Sequence, residues 1–171
     1  MKYIIHKILV FIVCVFCLAC NKETPFTISI QNNLNTPQVL HGINKLTLFA
    51  KENDIDIIEK DGILNIQTLL DSINLKPEAF SIKMNDDDVI LTGGDATGLM
   101  YGLFDVKEQL ETGNKTISDK EESPNLEFRA LKFNLPWEAY RTSKTLREHT
   151  ETCKDTVFWR AFLDMMAENR F

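Results

Sequence analysis

Few groupings in this 171-residue chain have the residue types that chemistry requires. Gly93-Gly94, in "VILTGGDATGLMYGLFDVKEQL", follows an apolar strand and opens a helix, as a phosphate-cradling loop would. Such a loop needs further glycines in a GxGxxG pattern, or a Lys-Ser/Thr pair whose lysine reaches the phosphates, and neither is present. Gly93, Gly94, Gly98 and Gly102 therefore read as a tight corner with φ > 0 and close helix–sheet contact. Asp86-Asp87-Asp88 could attract a cation but lacks the EF-hand spacing and its closing glutamate, so it reads as a solvated hairpin tip. Cys153 and His149 have the four-residue spacing of a helical Cys/His nucleophile, although a lone loop cysteine is more often inert. His6, His41 and His149 form no ligand cluster. No catalytic residue, metal or cofactor is assigned on these grounds.

Cys20 carries a different chemistry. Lys2, His6 and Lys7 precede an uncharged apolar run from Ile8 to Leu18, shorter than the roughly 20 residues a membrane span needs. The run ends in "CLAC" and polar "NKET", a pattern that resembles a bacterial lipobox cut before Cys20, with Cys17 in place of the usual leucine. Residues 1–19 are expected to be a lipoprotein signal, Cys20 the lipidated residue and 20–24 a tether. A secreted product and an uncleaved anchor are the alternatives. The expected location is the cell envelope, at an outer membrane or cell surface, with the lipid as the membrane partner. Cleavage would remove two lysines and take the net charge from −6 to −8, which gives the product no electrostatic reason to bind nucleic acid. Cys14 and Cys17 leave with the signal and Cys20 takes the lipid. Cys153 then has no intramolecular partner, and no disulfide framework is expected.

The elements that must position such residues show in the periodicity. With 44% apolar and 26% charged residues the chain is globular in composition. Phe26, Ile28 and Ile30 alternate as a strand does. Thr36 and Pro37 open a helix running to about Lys51, with Thr36 as N-cap. Ile55–Glu59 reads as a short strand. Ile66, Leu69, Leu70 and Ile73 share one face of a short helix. "AFSIKM" and "VILTG" form a hairpin, and Asp95 caps a helix from Ala96 to Glu111 that stops at Gly113. The order predicts a layered α/β domain, a mixed sheet with helices, over 25–117. A charged, proline-containing linker comes next, over 118–125.

The last stretch, 126–171, predicts one strand (Leu126 to Trp137), a polar loop and a helix. Thr152 and Asp155 have capping-box spacing, and Val157, Ala161, Phe162, Met165 and Met166 make a stripe read as buried. One such unit cannot bury both of its apolar faces, and each large side chain left in water forgoes about 1.5–3 kcal/mol. The chain therefore looks like the leading part of something longer.

Two segments carry a family resemblance. "AFSIKMNDDDVILTGGDATGLMYGLFDVKEQL" resembles the end of the small α/β domain that precedes the barrel in family 20 glycoside hydrolases, the β-N-acetylhexosaminidases, and that has a relative in α-glucuronidases. Gly94, Gly98, Tyr101, Gly102, Gln109 and Leu110 fill the places of that theme. "SPNLEFRALKFNLPW" and "FWRAFLDMMAENRF" resemble the linker, first strand and first helix of the (β/α)₈ barrel, with Ala130 for the customary glycine and Asn134 for a common aspartate. A barrel takes about 250 residues, several times the length of chain beyond Glu127. The family's catalytic Asp-Glu pair lies at its fourth strand, where the glutamate protonates the leaving group and the aspartate orients the acetamido nucleophile. The resemblance thus implies an oligo- or polysaccharide partner, no catalytic residue in this stretch, and Arg129 as a substrate-binding residue touching sugar hydroxyls. Trp137, at the C-terminal end of the expected barrel strand, stands where a sugar-stacking aromatic belongs, or packs. Glu138 and Arg141 qualify by position alone. The expectation is the front of a lipid-anchored glycoside hydrolase, itself without activity. The alternative is a stand-alone envelope lipoprotein that binds a glycan or protein.

Overall fold

The computed structural model describes residues 25–112, 116–132 and 150–171. Six strands, β1 (Thr27–Gln31), β2 (Asp56–Ile58), β3 (Leu64–Leu70), β4 (Phe80–Asn85), β5 (Asp88–Gly93) and β6 (Lys120–Glu122), form one sheet in the order β2-β1-β3-β5-β4-β6. The run β2-β1-β3-β5 is parallel, while β4 is antiparallel to both β5 and β6. The helices are α1 (Pro37–Glu52), α2 (Ala96–Glu111), α3 (Thr150–Lys154) and α4 (Thr156–Glu168). The α/β expectation, a mixed sheet with helices, holds.

Strand periodicity explains the core. Ile28, Leu64, Ile66, Phe80, Ile82, Val89 and Leu91 are fully buried at alternate positions, whereas Gln67 and Lys83 on the opposite parity are exposed. Val39, Leu46 and Phe49 of α1 join them, as do Leu99, Leu103, Phe104 and Val106 of α2, so both helices and the sheet share a single cluster. The Asp95 carboxylate caps α2 by accepting the Gly98 N–H at 2.7 Å, as its sequence position predicts. Thr36 also sits at its predicted N-cap with Pro37 behind it, but its hydroxyl makes no capping hydrogen bond.

Several elements depart from the sequence reading. The segment expected as a short helix around Ile66–Ile73 is strand β3. Leu69, Leu70 and Ile73 suggested a helical face, yet they are 41%, 47% and 92% exposed, and burial instead follows Leu64, Ile66 and Thr68 at period two. Parallel pairing with β1 and β5 decides the matter, and neither neighbour is visible in a local window. The segment expected as a linker contains β6, whose Glu122 pairs with Phe80 at the sheet edge. Leu126 to Lys132 form no strand; 133–137, the rest of that expected strand, and Gly113 lie outside the described residues. Asp155, not Thr152, caps α4, accepting from Val157 N at 2.9 Å and Phe158 N at 3.0 Å. The stripe read as buried on α4 is not: Val157 is 76% exposed and Met165 43%, Ala161 is exposed, and Phe162 and Met166 are half-buried.

The glycine corner is structural, though not by positive φ, since its glycines have none. A Cβ on Gly94 would lie 1.9 Å from the Lys76 carbonyl oxygen, and one on Gly98 would lie 2.1 Å from that of Ala79. The β3–β4 connection therefore occupies the space a phosphate would need, and Gly94 N–H donates to Ala79 O at 2.9 Å.

Candidate functional site

The corner and the sheet edge together create a cleft. Phe80 opens β4 beneath it, with Glu78 just before; Tyr101 comes from the second turn of α2, and Glu122 ends β6. Residues 123–126 and Arg129 form one wall, and Asn169 and Arg170, at the end of α4, close it. The volume is about 280 Å³, near the lower end of small-molecule sites.

Arg170 reaches the cleft because of how α4 ends. Its N–H donates to Ala167 O at 3.0 Å and that of Phe171 to Met166 O at 3.0 Å, the paired bonds of a Schellman cap. The cap requires a left-handed residue, usually glycine, and Arg170 takes that place with φ 61°. Its guanidinium donates to Glu122 Oε1 at 2.9 Å and Asp105 Oδ2 at 3.1 Å, and stands 5.6 Å from the centre of the Phe80 ring. Asp105 is 1% exposed on α2, and Gln109 (2.8 Å) and Lys120 also donate to it. Its charge is thus buried with partners on every side, which buried carboxylates require. Burial opposes the positive charge on Lys120, yet the hydrogen bond and attraction of Asp105, helped by Glu122, outweigh it and raise the ammonium pKa above its ordinary value.

Arg129 stands across the cleft and donates to Glu78, itself left-handed at φ 63°. Tyr101 is 4% exposed beside them. Burial, and then the Glu78 charge, push its phenol pKa up, while Arg129 pulls the other way.

Of the residues singled out in the sequence, Arg129 lines this cleft, against the α/β layer. Trp137, Glu138, Arg141, His149 and Cys20 lie outside the described residues. Cys153 is free and half-buried, and its carbonyl accepts from Trp159 Nε1 at 3.2 Å. Asp86 and Asp87 make the β4–β5 turn, with Asp86 at φ 54°. Among the described residues no group of His, Cys, Asp or Glu could hold a metal, and no helix is long and apolar enough to cross a membrane. Sequence reasoning missed Glu78, Glu122 and Arg170. The one signal for Arg170 was its place just past a helix end, where glycine would be usual.

No family profile matches the chain. Its backbone is similar to that of a GH138 enzyme targeting pectin rhamnogalacturonan II, with TM-score 0.65 and 20% identity over 85% of this chain and 23% of that one. The fold is glycoside-hydrolase-like. Half of the chain overlaps a GH115 4-O-methyl-α-glucuronidase with specificity for decorated arabinogalactans, at TM-score 0.39 and 18% identity over 13% of that enzyme. Half also overlaps a β-N-acetylhexosaminidase from Bacteroides fragilis, at TM-score 0.31 and 14% identity over 17% of its length. The chain spans less than a quarter of each of these enzymes.

Proposed function

We propose that the chain is the leading α/β portion of a glycan-hydrolysing envelope enzyme, anchored by lipid on Cys20 and without catalytic residues of its own. The observation that carries this reading is the backbone agreement with the GH138 enzyme over 85% of the chain. A hexosaminidase-like specificity rests on the motif residues Gly94, Gly98, Tyr101, Gly102, Gln109 and Leu110, and the sugar-contact roles of Arg129 and Trp137 rest on the same resemblance. The exposed apolar side chains of 126–131 and α4 support a further packed layer, since Phe128 is 82% exposed and Leu163 59%. The rival reading is a stand-alone envelope lipoprotein that binds a glycan or protein partner.

The test has three parts. Residues 21–171 should leave aryl N-acetylglucosaminides and aryl glucuronides uncleaved, and measurable turnover would overturn the non-catalytic assignment. Nucleotide sequence beyond the Phe171 codon should continue in frame into further strand–helix units. A stop codon there, with a monomeric product that melts cooperatively, would favour the rival. Metabolic labelling with a radioactive fatty acid should mark the chain and spare Cys20→Ala.

A further inference from the structure

The chain crosses the cleft between two pins. Glu122, the last residue of β6, is in register with Phe80 at the start of β4. Arg129 donates to Glu78, two residues before Phe80, and hydrogen-bonds the Tyr101 phenol. Residues 123–128, six in all, therefore leave the sheet edge and return to it close to where they left. Closing so short a loop costs little entropy, and Pro124 lowers the cost further by fixing its own φ. Apolar burial does not hold this stretch down, since Phe128 is 82% exposed and Leu126 64%. Its hold on the layer is polar. Arg129 supplies it, and also donates to the Leu126 carbonyl at 3.4 Å, within the stretch itself. Glu78 meets Arg129 from a left-handed backbone conformation, which a non-glycine residue keeps only where its surroundings impose it.

From this we infer that residues 123–128 are a strap, latched by Arg129 on Glu78 and Tyr101, that holds the end of α4 in the cleft. Ser123 to Leu126 line the same cleft as Asn169 and Arg170, the two residues that follow α4. Arg170 bonds there to Glu122, where the strap starts, and to Asp105. Latch and helix end meet at one point of the sheet edge. Glu78 precedes Phe80 in the chain, Glu122 lies beside it in the sheet, and the Arg170 guanidinium stands 5.6 Å from its ring centre. Opening the latch removes the wall that 123–126 give the cleft. Withdrawing Arg170, by contrast, leaves Arg129, Glu78 and Tyr101 in contact with one another. The dependence should run one way, from strap to helix end. None of this depends on the glycan reading; the strap would act alike in a glycan-hydrolysing enzyme and in a stand-alone lipoprotein.

The experiment is limited chymotrypsin digestion of the full chain in a mild detergent, with the initial rate of the cut after Phe128 read by mass spectrometry. A protease must draw several residues on each side of the bond into its own cleft, which a latched strap resists. Glu78→Gln should speed this cut about three- to fivefold, the scale of a partly exposed ion pair. Tyr101→Phe should speed it about twofold through loss of one hydrogen bond, and it decides alone if the glutamine variant does not fold. In both latch variants amide exchange should also quicken at Asn169, Arg170 and Phe171, whose N–H groups bond back to α4. Arg170→Gln should free those same amides yet leave the Phe128 cut at its parent rate. A cut unmoved by either latch variant overturns the inference, as does a faster cut with exchange at the α4 end unchanged. Equal acceleration of the cut by Arg170→Gln overturns it too, since 126–132 and α4 would then be released as one body.

Discussion

The sheet with α1 and α2, on one side, and residues 126–132 with α4, on the other, use the same apolar side-chain types, yet they place them in opposite environments. In the first region Phe80, Phe104, Leu46 and Ile82 are essentially inaccessible to water, and a single cluster runs through both helices and the sheet. In the second, Phe128 is 82% exposed, Val157 76% and Leu126 64%, and α4 has no buried residue. What holds α4 against the first region is chiefly charge, Lys45 to Asp164 and Glu168 and Arg170 to Asp105 and Glu122, with Ala167 packed beside the core cluster. The Lys45 pairs end on partly exposed carboxylates and contribute only about 0–1 kcal/mol each, and Arg170 adds a single contact to the buried Asp105, so the first region should carry most of the fold's stability. Deletion of a large core side chain tests this most sharply. Phe80→Ala should cost about 3–5 kcal/mol, read as a lowered denaturation midpoint, while Phe128→Ala should stay within about 0.5 kcal/mol of the parent. Equal losses would mean that Phe128 is buried in solution and that the contrast is wrong.

The same contrast explains what could be read from sequence. Helix α2 was legible to its ends because its cap, Asp95, and its apolar stripe are local features. The β4–β5 hairpin was legible for the same reason. Strand β3 was not, since its register depends on β1 and β5, which are distant in sequence. Strand β6 was missed because "KEE" has no apolar alternation; it is an edge strand held by backbone pairing to β4 and by the Lys120 and Glu122 charges. Arg129 came from family resemblance. Its companions Glu78, Glu122 and Arg170 lie 44 to 92 residues apart in the chain, and only the fold brings them together.

Asp105 is the joint between the two regions, and it should give the next largest effect. Asp105→Ala removes a buried carboxylate that three side chains address and leaves Lys120 and Arg170 facing a gap. A loss of about 2–3 kcal/mol is expected, because hydrogen bonds to a charged group are at stake. Amide exchange should accelerate in α4 more than in α1. A uniform acceleration would show that Asp105 serves only the core.

Two aspartates with the same local chemistry then separate the regions at smaller cost. Asp95 caps α2 and Asp155 caps α4, each through carboxylate-to-amide hydrogen bonds. Asp95→Ala should lower global stability by about 1 kcal/mol, the usual value of a cap. Asp155→Ala should leave the main melting transition in place and show itself only as faster exchange at the start of α4. A shift of the main transition equal to that of Asp95→Ala would indicate that α4 unfolds together with the sheet.

The smallest effect concerns Lys45, and its sign comes from titration. Burial opposes the charge of this lysine, but hydrogen bonds to Asp164 and Glu168 and the attraction of both carboxylates prevail, so its pKa in the folded protein is raised above 10.5. A cation whose folded pKa is raised contributes its full stabilisation below the unfolded value and loses it as pH climbs through the folded one. Lys45→Met should therefore speed α4 exchange, corrected for intrinsic rates, by an amount equivalent to about 0.5–1 kcal/mol at neutral pH, given that both carboxylates are partly exposed. The difference from the parent should stay constant up to pH 10.5 and shrink above it. Added salt should shrink it as well, because screening acts on the same charges. A difference that persists unchanged at high pH and high salt would mean that the Lys45 methylenes hold α4 by packing. The electrostatic description of the second region would then have to give way to an apolar contact.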